Sequence, residues 1–184
     1  MPITPLHVGP GLLIKLVGGR HLSLTMFVLT QITMDLEVLM RLMLGAFPLH
    51  GFTNTILGAT AVLAVTIVLG KPVCEWALHW WNRKLSPAQS RWLRVSEGIS
   101  WTAACVGGIL GVFSHFILDA MMHADAKPWM PFYETNPFVG LFSIDQLNLF
   151  CFICLFVGVV VLVVYGVRRG LKTAAHFGDG SDRA

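Results

Sequence analysis

Apolar residues run along this chain in long blocks, and the polar residues that interrupt them fall at helical spacings. The block from about Leu24 to Leu44 is mostly Leu, Met and Val, and Ser23 stands ahead of it as an N-cap. The next, Thr55 to Gly70, is about 16 residues, slightly short for a membrane span unless Phe52 and Thr53 join it. Residues 98–122 form another, in which Gly107, Gly108 and Gly111 would let a second helix approach closely. Leu149 to Val167 is the cleanest apolar run. Residues 4–19 make a shorter segment, where Thr4 and Pro5 suit an N-cap and a first helical position. Gly9-Pro10-Gly11 interrupts it, so this helix starts at Thr4 with a kink or begins only at Gly9. Between the blocks, Lys71 to Ser96 mixes Trp76, Trp80 and Trp81 with Arg83, Lys84, Arg91 and Arg94, as a headgroup-level segment does. His123 to Asn148, with Pro128, Pro131 and Pro137, reads as a loop that covers the site or rests on the interface. The pattern predicts an all-α polytopic membrane helical bundle: four or five inserted helices plus an interfacial segment. It forms a single domain over residues 1–172, followed by a polar tail, 173–184, expected to be disordered.

Composition agrees with a membrane protein. Of 184 residues, 55% are hydrophobic and only 12% charged, too apolar a balance for an ordinary soluble domain. The formal charge of +3 is small, and its cations cluster beside the apolar blocks, which argues against nucleic-acid binding. Lys71, Arg83, Lys84, Arg91 and Arg94 form one cluster and Arg168, Arg169, Lys172 and Arg183 the other, whereas the 123–148 loop holds only Lys127. The positive-inside rule therefore places 71–96 and the C-terminus in the cytoplasm. With the first segment crossing, His7, Asp35, His50, Asn54, His115, Asp119 and His123 then all fall in the outer half of the membrane. Met1 to Pro5 does not supply a basic region ahead of an apolar one, so no cleavable signal peptide is expected. Cys151 and Cys154 have C-x-x-C spacing without a second pair or a nearby His to complete a zinc site. These two, with Cys74 and Cys105, read as small buried hydrophobes.

The candidate chemistry centres on Ser114-His115-Phe116-Ile117-Leu118-Asp119, near the end of an apolar block. On a helix His115 and Asp119 leave the same face, and His123 continues the row. A carboxylate in mid-membrane costs roughly 2.5–3.5 kcal/mol, so it calls for a partner or a task. Both side chains can reach one divalent cation, and the same spacing equally suits a hydrogen bond between them. Elsewhere, Gln31 and Asp35 share a face, Glu37 and Arg41 form an i, i+4 ion pair, and His50 and Asn54 stand one turn apart. Asp35 is left without a local partner.

Four elements in order resemble those of the predicted membrane-bound metal-dependent hydrolases of bacteria and archaea. They are Thr4-Pro5-Leu6-His7, Met34-Asp35-Leu36-Glu37, His50-Gly51-Phe52-Thr53-Asn54-Thr55, and Ser114 to Asp119. That family is distantly similar to the helical zinc phospholipase C and P1 nuclease group. Met34 stands where the family often has Pro, and Asn54 where it often has a second His. An amide oxygen suits a hard cation better than it suits zinc.

The resemblance implies a cytoplasmic-membrane hydrolase holding zinc, or else manganese or iron. Its ligands would be His7, Asp35, His50, Asn54, His115 and Asp119, with His123 or an unliganded carboxylate such as Glu37 as general base. Its partners would be membrane lipids, and its substrate a lipid or other phosphoester. A non-catalytic protein whose polar cluster staples helices together is the second reading. A transport pathway is the third, against which stands the lack of an internal repeat.

Overall fold

A computed structural model describes residues 5–178, and all regular structure among them is helical. Thr4, the expected N-cap of the first segment, lies outside the described residues. A single 3-10 turn, Pro5–His7, leads into α1, Val8–Gly18. The helix runs straight through Gly9-Pro10-Gly11, because Pro10 falls in the first turn, where its missing N–H would have had no intrahelical partner. At 11 residues, about 16 Å, α1 is too short to cross a membrane.

Helix α2, Leu24–Met43, is capped by Ser23, whose Oγ accepts from Met26 N at 3.3 Å. Its 20 residues are long enough to span, about 30 Å, but its polar side chains face protein. Next come α3, Ile56–Val65, a wide π turn, Thr66–Gly70, and α4, Lys71–Lys84. The apolar run ends at Gly70, but the helix does not; the three pieces make one continuous rod, Ile56–Lys84. Pro72 explains the π turn, since it cannot donate to the carbonyl one turn earlier and its ring needs the extra room. Helix α5, Pro87–Leu93, opens on a capping box between Ser86 and Gln89. Helix α6, Trp101–Met122, is capped by Ser100, and α7, Ile144–Gly178, closes the chain. The helix of α7 continues to Gly178.

Among the described residues, three helices are long and apolar enough to cross a membrane: Ile56–Lys84, Trp101–Met122 and Ile144–Arg168. Only 22% of the most apolar stretch of α7 is buried, against 56% for α6. Exposed Phe, Leu and Val on α7 are what a lipid-facing helix presents, and they associate the chain with a membrane. The central contact is α2 on α6. A Cβ on Gly107 would strike the Ser23 carbonyl oxygen, and one on Gly111 would strike Thr30 Oγ1 and come within 2.8 Å of Phe27 O. Small residues are therefore what let these two helices touch. At Gly9 the same close approach lets α1 rest on the Cys151 backbone of α7. Cys74, Cys151 and Cys154 are buried as free thiols, as expected of small hydrophobes.

Candidate metal centre

Four elements deliver imidazole or carboxylate groups to one point. His7 ends the first 3-10 turn, His50 lies in the loop after α2, and His115 and Asp119 stand one turn apart on α6. All four residues are at least 97% buried. Asp119 Oδ2 lies 3.0 Å from His115 Nε2 and 3.9 Å from His50 Nε2, and its Oδ1 is 3.7 Å from His7 Nδ1. Asp35 of α2 joins them, with Oδ1 at 3.6 Å from His115 Nε2. The His7 and His115 rings meet edge to face at 5.2 Å.

Only one pair among these groups is close enough to satisfy each other, His115 Nε2 with Asp119 Oδ2. Both nitrogens of His7 and Nε2 of His50 are buried without a hydrogen-bond partner. Leaving one such group unpaired costs about 1–3 kcal/mol, so several orphans aimed at one point call for something to bind them. Ligand atoms of His7, His115 and Asp119 lie within 4.8 Å of one another, close enough to share a cation.

The outward-facing nitrogens are held from behind. His115 Nδ1 is 2.8 Å from Gln31 Oε1, an oxygen that can only accept. The other end of that amide is fixed too, with Nε2 donating to Gly111 O at 2.8 Å and Ser114 Oγ at 3.0 Å. His50 Nδ1 is 2.9 Å from Asp125 Oδ1, while Asp125 Oδ2 accepts from Leu49 N and His50 N at 2.8 and 3.1 Å. Both rings thus donate from Nδ1 and turn Nε2 inward, that of His50 bare and that of His115 against Asp119 Oδ2 at 3.0 Å. A metal-ligating histidine is usually oriented in this way. Neither Gln31 nor Asp125 was recognised from sequence as part of the site. Gln31 shares a helix face with Asp35, which was a usable signal; Asp125 lies 75 residues from His50 in a loop and gave none beyond following His123 by two.

Electrostatics outside the spans agrees. Burial pushes the His7 imidazole down to about 4, with Asp119 pulling the other way, so the ring is neutral and offers a lone pair. Burial also lowers His123, reinforced by His50. Burial would raise the Asp125 carboxyl, but the hydrogen bonds from His50 and Leu49 outweigh it and hold the group below its ordinary range.

The remaining candidates separate. His123 leaves the helix row as the C-cap of α6 and stacks on His50 at 4.0 Å, beside the cluster and partly exposed. With His50 and Asp125 it makes a second close trio, but Asp125 is already committed to His50. Asn54 is buried with both amide atoms unpartnered. It does not share a helical face with His50, because a 3-10 turn, Phe52–Asn54, intervenes. Glu37 does not join the cluster as a base. Its Oε1 takes Arg41 Nε and Phe52 N, and its Oε2 takes Thr53 N and Oγ1, so the carboxylate is used up pinning the 52–54 turn to α2.

Residues 1–181 match the family described as "Domain of unknown function (DUF4184)", and the chain belongs to it. Comparison with curated proteins and with solved structures gives no significant match. The family description assigns no chemistry, so the geometry has to supply it.

Proposed function

We propose that this chain is a membrane-embedded, divalent-metal-dependent hydrolase acting on a phosphoester or lipid-like substrate. One observation carries the metal: several unpartnered buried ligand atoms converge while the far sides of His50 and His115 are tethered. His7, His50, His115 and Asp119 would hold the ion, with Asp35 and the Asn54 amide oxygen as further oxygen donors. Three imidazoles and carboxylate fit zinc, with manganese or iron next. A divalent cation held there supplies Lewis acidity and lowers the pKa of a bound water to about 7.

The chain's own residues supply the rest. His123, partly exposed and stacked on His50, would take the water proton and return one to the leaving oxygen. Water oxygen bonds to phosphorus, the ester P–O bond breaks, and the released alcohol keeps the returned proton. Asp35, whose side chain is 19% exposed, is the most open of the cluster carboxylates and marks the side from which substrate would enter. The positive-inside rule and the resemblance support a bacterial or archaeal cytoplasmic membrane, a cytoplasmic C-terminus and a site in the outer half.

The near-complete burial of His7, His50, His115 and Asp119 favours a second reading, a metal that only staples α1, α2 and α6 together. Elemental analysis of detergent-purified protein, wild type beside His115→Ala with Asp119→Ala, tests the centre. Near-stoichiometric metal lost in the double variant is expected, and phosphoester hydrolysis lost with it. Metal without hydrolysis of any phosphoester would leave the staple; no metal in folded, reconstituted wild type would end both readings.

A further inference from the structure

The cations that the metal centre does not use gather at the other end of the bundle. A cleft of about 890 Å³ opens there between the end of α1, the starts of α2 and α6, and residues 94–100. Lys15, Arg20 and Arg94 line it, together with His21, whose Nε2 accepts from Arg20 Nε at 3.5 Å; Glu97, just outside the lining, lies close enough to Arg94 to feel its charge. The capping residues of α2 and α6, Ser23 and Ser100, both stand in its wall, so the positive ends of two long helices add to the same field. Lys15 Nζ donates to the carbonyls of Gly19 and Leu22 at 2.7 and 2.6 Å, offsetting the negative end of α1 in that wall.

Leu22, Leu78, Ile99 and Leu162 belong to the same lining and make the cleft largely apolar. Leu162 belongs to α7, the helix with the most lipid-like exposure. Trp101 begins the apolar α6 helix, so the cleft lies at the N-terminal end of that candidate span. From Ser100 to His115 is about 22 Å along the α6 axis, which separates the cleft from the metal centre.

We propose that this cleft binds an anionic phospholipid, its phosphate among Lys15, Arg20, His21 and Arg94 and an acyl chain against Leu78, Ile99 and Leu162. A free phosphate would use the cations alone; the apolar part of the lining and the volume fit a lipid. Basic pockets between membrane helices hold lipid headgroups by the same charge complementarity. The site stands independently of the hydrolase reading.

The test uses the full chain in detergent, with metal chelated, and native mass spectrometry of added lipid. Phosphatidylglycerol is expected to bind more tightly than phosphatidylcholine of the same acyl chains. Arg20→Ala with Arg94→Ala should weaken phosphatidylglycerol by about fivefold for each cation removed and leave phosphatidylcholine unchanged. Leu162→Trp, which fills the apolar part of the cleft, should weaken both lipids. Equal affinity for the two lipids, or full displacement of phosphatidylglycerol by equimolar inorganic phosphate, overturns the proposal. If the double arginine variant does not fold, unchanged phosphatidylglycerol binding by Leu162→Trp overturns it equally.

Discussion

Asp125→Asn is the most informative single change at the metal centre, because it removes one proton acceptor and almost no volume. In the native arrangement Oδ1 faces His50 Nδ1 at 2.9 Å and Oδ2 faces two backbone N–H groups. An amide can satisfy only one of these sides. With its oxygen kept on the backbone, the new NH2 faces Nδ1, which must then accept, and the ring proton moves to Nε2. That proton points towards Asp119 Oδ2, 3.9 Å away, and blocks the nitrogen that would bind metal. Turned round, the NH2 meets the N–H groups of Leu49 and His50. Losing such an outer partner costs about 10- to 100-fold in metal affinity, or about 1.4–2.8 kcal/mol. The assay is zinc titration against a competing chelator, run as a double-mutant cycle with His50→Ala. If Asp125 acts through His50, its substitution should change affinity less than about twofold once His50 is gone, a coupling of roughly 1–3 kcal/mol. An equal loss in both backgrounds would refute the positioning role.

Further outcomes follow from other contacts. Gln31→Leu leaves His115 Nδ1–H buried and unpaired, so metal-free protein should lose about 1–3 kcal/mol in thermal melts, with weaker zinc binding besides. Gly107→Ala forces a Cβ onto the Ser23 carbonyl and should lower stability by about 1–3 kcal/mol. Gly166→Ala meets nothing within 4 Å and should be neutral or stabilising by up to about 1 kcal/mol, read from the same melts. The Glu97 carboxyl is held below its ordinary 4.5 by hydrogen bonds from His79 and Asn82, with burial slightly opposing. Its folded pKa is depressed, so its contribution is present above 4.5 and lost as pH falls through the folded value. Glu97→Gln should therefore lower Tm above pH 4.5, and the difference should close in more acidic buffer.

Local pattern carried much of the architecture. Apolar blocks of span length, Ser23 as a cap, the small-residue face of α6 and the Glu37–Arg41 pair are all set by neighbours within a turn or two, and each is present. The same locality made His115 and Asp119 conspicuous, since a one-turn spacing is all that their contact needs. Where the pattern misled, the cause was a property that composition does not encode. The break at Gly70-Lys71-Pro72 looked like a helix end, yet backbone hydrogen bonding carries the helix on to Lys84. Glu37 shared its motif with Asp35, but a regular helix turns the two apart, and Glu37 went to the 52–54 turn.

Which polar residues meet, and which nitrogen each imidazole offers, was decided only by tertiary structure. His50 and Asp125 are 75 residues apart and His115 and Gln31 are 84. Contacts of that range leave no periodic trace, because they depend on how closely α2 and α6 approach and how the following loop folds back. Sequence alone determined that ionisable side chains lie in apolar surroundings, where being unpaired is costly. The fold determined that His7, His50, His115 and Asp119 share one point and are held from outside by Gln31 and Asp125. The tautomer of a buried ring is set by the acceptor behind it, and only packing brings that acceptor there.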